Sequence, residues 1–102
     1  MTAPISQRQC YLVEWYRPAL TQELFDDVVA RLGERVTSMC AEGAPVHLLM
    51  AIAVPGDELV FGVFEAGSEQ VVAQVCDRAG FPAQRLSQAM DARAARQPWG
   101  NT

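Results

Sequence analysis

Residues 45–65 read PVHLLMAIAVPGDELVFGVFE. Two apolar runs flank Pro55-Gly56-Asp57, a tripeptide suited to a tight connection because Pro presets φ and Gly accepts a positive φ. The stretch therefore predicts a β-hairpin. Side chains along a strand alternate between its two faces. On strict alternation Val46, Leu48, Met50 and Ile52 share one face, and His47, Leu49, Ala51 and Ala53 share the other. The second run repeats the pattern, with Leu59, Phe61 and Val63 set against Val60, Gly62 and Phe64. A hairpin with one wet face would carry polar residues at every second position. Here both faces are apolar, so the hairpin needs two covers. A short chain supplies one, and the second is expected from a partner.

Outward from the hairpin, the chain alternates helix and strand signals. Residues 10–16, CYLVEWY, are β-branched and aromatic enough for a strand. Its alternation sets Tyr11, Val13 and Trp15 against Cys10, Leu12, Glu14 and Tyr16. Thr21 is placed to cap a helix N-terminus, with Glu23 in the first turn. Leu24, Phe25, Val28, Val29, Leu32, Val36 and Met39 then recur at helical spacing, and Gly43 stops the helix. Beyond the hairpin, Ser68 is a second N-cap, and Val71, Val72, Val75, Cys76 and Ala79 form a shorter apolar stripe. Gly80 ends this helix, with Phe81 set to fold back on its last turn. Residues 84–90, QRLSQAM, read as a polar edge strand.

The predicted order is β-α-β-β-α-β, two crossover units joined by the hairpin, which is the ferredoxin-like arrangement. Right-handed crossovers put both helices on one face of a four-stranded antiparallel sheet. The other face is left open, and two-fold pairing with a second copy is the expected cover. The domain organisation read from the chain is a flexible N-terminal arm over 1–9, the ferredoxin-like domain over 10–90 and a C-terminal tail over 91–102. Trp99 in that tail is expected to pack on something.

Composition removes several function classes. The 102 residues fit a single domain, and 12 acids against 8 bases give a net charge of −4. That balance argues against nucleic acid, which requires a basic face. Cys10, Cys40 and Cys76 are far apart and form no CxxC pair, so they read as reduced thiols in a cytoplasmic protein. The first ten residues lack a signal-peptide core. No apolar run approaches the ~18 residues of a membrane span, and no membrane partner is expected.

The segments CYLVEWYRP, FGVFEAGSEQVV and AGFPAQRLSQ resemble a group of small, mostly uncharacterised bacterial ferredoxin-like domains, some of them nickel-binding. The resemblance runs from about Cys10 to Met90 and extends to the wider dimeric α+β barrel class, whose members pair sheet to sheet. It implies a homodimer; no cofactor is expected from the residues themselves, and nickel enters by family resemblance alone. The departures lie where soft donors would sit. Trp15 stands where the group usually has Arg, Met50 at or near a usual His, and Gly62 at a frequent Cys. His47, three positions before Met50, falls on the opposite strand face by alternation.

The residues themselves offer little standard chemistry. There is no GxGxxG or GxxxxGK phosphate loop and no credible nucleophile-base spacing. Glu14 has two readings within an apolar strand. Desolvated, it becomes a general base, because burial raises a carboxyl pKa. Paired with an arginine, it is structural. His47 is the candidate metal residue, and otherwise a strand residue meeting water. A cavity between facing sheets would be lined by Glu14, Tyr16, Leu48, Met50 and Phe61. The function expected is therefore a non-enzymatic homodimer binding a small molecule or a metal in that cavity. The alternatives are a cofactor-independent enzyme, with Glu14 as base and Tyr16 orienting an aromatic substrate, and a purely structural interaction module.

Overall fold

The computed structural model describes residues 8–91, so residues 1–7 of the proposed arm and nearly all of the tail, including Trp99, lie outside the described residues, while Gln9, expected in the arm, opens the first strand. The chain runs β1 (Gln9–Tyr16), α1 (Gln22–Ala41), β2 (Val46–Val54), β3 (Leu59–Ala66), α2 (Glu69–Ala79) and β4 (Arg85–Ala89). All strand pairs are antiparallel and the sheet order is β2-β3-β1-β4. The predicted β-α-β-β-α-β order is therefore the observed one. One turn of 3₁₀ helix over Pro55–Asp57 closes the hairpin.

Local chemistry sets the element ends. Thr21 Oγ1 accepts from the Leu24 N–H at 3.1 Å, and Ser68 Oγ accepts from the Val71 N–H at 3.3 Å. Each satisfies one of the four N–H groups that a helix start leaves without a partner. At the end of α2, Gly80 adopts φ +87°, and the Phe81 N–H reaches back to the Cys76 carbonyl at 2.9 Å. That is the glycine-terminated helix end foreseen in the sequence.

The core lies between the sheet and the two helices. Tyr11, Val13 and Trp15 of β1, Val60, Phe64 and Ala66 of β3, and Val46 of β2 meet Val28, Leu32 and Met39 of α1 and Val72, Val75, Cys76 and Ala79 of α2. Phe81 and Leu86 pack partly against them. Leu24 departs from its expected place on the buried stripe and is exposed. Neighbours on a helix are 100° apart, and here Phe25 takes the core-facing position of that turn.

Strand β2 also departs from strict alternation. Its pairing with β3 shifts between Leu48 and Met50, so Leu49 is an extra residue in a β-bulge. A one-residue slip exchanges the faces of everything beyond it. Val46, Leu48, Ala51 and Ala53 consequently look toward the helices. His47, Met50, Ile52 and Val54 look the other way, opposite Glu65, Val63, Phe61 and Leu59.

Candidate functional site: the open sheet face

The face turned away from the helices is ordered by the strand register into cross-strand rows. One row runs Arg85, Glu14, Phe61, Ile52. The next runs Ser87, Leu12, Val63, Met50, and the next Ala89, Cys10, Glu65, His47. Tyr16, Leu59 and Val54 close the end nearest the 3₁₀ turn. The centre is apolar, and its exposed members stay in water: Met50 is 48% and Ile52 45% accessible.

Four of the five predicted lining residues share this face: Glu14, Tyr16, Met50 and Phe61. Leu48 does not. It pairs with Phe64 and packs on the helix-side core, because the bulge separates its phase from that of Met50. The same bulge corrects the placement of His47. Three residues from Met50 would mean opposite faces in a regular strand, but the extra residue returns the two to one face.

Polar groups gather at the Tyr16 end. The Glu14 carboxylate lies 3.7 Å from Arg85 Nε, with a quarter of its side chain exposed. Its fate is thus the ion pair, at a distance where an exposed pair contributes at most about 1 kcal/mol. The Glu14 carbonyl accepts from the Gln84 N–H at 3.1 Å, and the Gln84 side-chain oxygen accepts from the Tyr16 N–H. The Tyr16 hydroxyl donates to Glu58 Oε1 at 2.8 Å. That bond, followed by the charge of Glu58, raises the Tyr16 pKa above 10.0. Glu58 itself has φ +57°, and its carbonyl accepts from the Arg17 N–H at 2.7 Å, tying the hairpin turn to the end of β1.

The donors do not assemble a metal centre. Among the described residues, no three His, Cys, Asp or Glu side chains come together as a ligand set. The cross-strand neighbour of His47 is Glu65, which is bridged to Arg8 at 3.4 Å. The two positions at which the family resemblance places His and Cys also diverge. Met50 belongs to the open face, while Gly62 lies between Val13 and Ala51 on the helix side. The described residues of one chain therefore do not fit a nickel site.

Arg85, Glu58 and Ile52 complete the face beyond the five residues expected to line it. Ile52 shares the period of Met50 and was findable that way. Arg85 and Glu58 reach Glu14 and Tyr16 only through pairing and turn geometry.

Topology and layer order define a ferredoxin-like α+β domain. No protein-family model and no curated protein matches the chain. Among solved structures, the crystal structure of SCO4226 from Streptomyces coelicolor A3(2) is similar, with a TM-score of 0.69 over 84% of this chain and 99% of that one at 17% sequence identity. At that identity the likeness carries the fold. No helix among the described residues is long and apolar enough to cross a membrane.

Proposed function

We propose that this chain is a homodimeric small-molecule-binding protein, with the open faces of two copies enclosing the ligand. The observation that carries this reading is the uncovered apolar centre of Leu12, Met50, Ile52, Phe61 and Val63, bordered at one end by Glu14, Tyr16 and Arg85. Burying a Met or Ile side chain fully contributes about 1.5–3 kcal/mol. Half-exposed Met50 and Ile52 therefore each leave roughly 1 kcal/mol unrealised in a lone protomer. A two-fold contact recovers it on both copies at once. An apolar floor with a few convergent polar groups is also the usual composition of a small-molecule pocket.

Binding is favoured over catalysis by the state of Glu14. A general base needs an available carboxylate, and this one faces Arg85. The ligand is an organic molecule with an apolar body, since the donor set does not fit a metal. The free thiols Cys10, Cys40 and Cys76 suit a reducing compartment such as the cytoplasm.

Sedimentation velocity and native mass spectrometry with elemental analysis test the reading together. A dimer at micromolar concentration that carries a bound organic mass supports it. A monomer removes the enclosed pocket. A dimer free of any organic mass, or one carrying stoichiometric nickel, overturns the assignment of the ligand.

A further inference from the structure

On the helix layer, away from the open face, a groove of about 360 Å³ is lined by Arg31, Glu34 and Arg35 of α1 and Arg78 and Ala79 of α2. The chain contains no lysine, so all eight of its bases are arginines, and three of them line this one groove. A guanidinium presents five N–H donors in a planar fork. Asp27 engages Arg31 through Nε, at 3.1 Å and 3.2 Å to its two oxygens. Glu42 engages Arg78 through Nη1, at 3.0 Å and 3.2 Å. The other nitrogens of both groups are left unspent, and Arg35 has no ion pair among the described residues.

Two of the three forks are thus held in place without being used up. Arg31 is further set against the Phe81 ring, with Cζ 6.0 Å from the centroid. Pre-positioning lowers the ordering cost of binding. Asp27, Glu34 and Glu42 balance the three arginines in number, so the groove exerts little long-range attraction. What it offers is donor geometry at short range. One fork satisfies the two oxygens of a carboxylate. Three forks from two helices suit a group with more oxygens and a second negative charge. We propose that this groove binds a phosphate group, carried either on a small molecule or as the free anion.

The test is a ¹⁵N NMR titration of the full chain, reading the arginine Nε–H signals. Inorganic phosphate is the probe in one arm and O-phosphoserine in the other, with chloride matched for ionic strength. Saturable shifts at Arg31, Arg35 and Arg78 are expected, and Arg35→Gln or Arg78→Gln should weaken binding by about tenfold. Tighter binding of phosphoserine assigns a phosphorylated molecule, and equal binding assigns the free anion. Shifts that do not saturate, that chloride reproduces, or that both variants leave unchanged overturn the proposal. Met50→Asp on the open face should leave this binding intact, which separates the groove from the dimer.

Discussion

The indole of Trp15 lies against Gly62, so closely that a β-carbon on Gly62 would stand 3.0 Å and 3.1 Å from two of its ring atoms. The Trp15 Nε1 donates to the Phe81 carbonyl at 2.7 Å, which holds the ring over the sheet and fixes the segment after α2. Gly62→Ala should therefore destabilise the fold by about 1–3 kcal/mol, because buried ring atoms have nowhere to retreat. Gly33→Ala, where the added carbon meets nothing within 4 Å, should stabilise α1 by roughly 0.5–1 kcal/mol. Urea unfolding midpoints for the two variants should move in opposite directions.

Cys76 gives a pH signature. Burial, and then the neighbouring charge of Asp77, push its thiol up from 9.0 to about 12. The folded state thus holds this proton more tightly than the unfolded chain does. That contribution to stability is complete below pH 9.0 and is lost as pH rises toward about 12. Stability measured against pH should fall more steeply for the native chain than for Cys76→Ala in that window. Exposed Cys40 should react with a thiol reagent in the folded protein, while Cys76 should react only on unfolding.

The Tyr16–Glu58 hydrogen bond predicts a titration. Glu58→Ala removes both leading causes of the raised Tyr16 pKa, the hydrogen-bond acceptor and the charge. Phenolate formation followed by ultraviolet absorbance should then begin at lower pH than in the native chain.

The open face predicts a separation of folding from association. Ile52→Asp places a charge at a side chain that is already 45% accessible in the protomer. Circular dichroism should show an intact fold, and sedimentation should show monomer. A dimer that survives this change would mean that the two copies meet elsewhere.

Deletion of Leu49 should be tolerated. Leu48↔Phe64 and Met50↔Val63 already flank the extra residue in the register, so its removal leaves a continuous ladder with every other side chain on its present face. Deletion of Ala51 instead draws Leu49 into register opposite Val63 and turns Met50 to the helix side opposite Gly62, where Trp15 leaves little room for it. The first variant should unfold cooperatively near the native midpoint, and the second should not.

These residues also show what sequence could and could not reveal. The caps at Thr21, Ser68 and Gly80 were legible because each depends on a few adjacent residues. The topology followed from their spacing and from the doubly apolar hairpin. The bulge was invisible, because Leu49 differs from its neighbours only in having no partner on β3. Strict alternation without it puts Leu48 on the ligand face and His47 on the face opposite Met50. The Glu14–Arg85 pair was foreseen as a type, a carboxylate meeting an arginine, but its partner is chosen by the register of β1 against β4. Leu24 shows a similar limit at a helix end, where two adjacent apolar residues competed for one inward position.

The bulge has a further consequence for how this chain behaves in a crowded solution. β2 stands at the edge of the sheet, and its nine residues, VHLLMAIAV, include no acid, arginine or proline. A flat, uncharged edge of that length is a template on which further strands can grow into fibrils. The extra residue at Leu49 bends that edge and breaks its even run of hydrogen-bonding groups near the middle. The irregularity that sorts side chains between two faces thus also guards the molecule against polymerisation, and a chain lacking Leu49 would fold correctly yet seed amyloid more readily.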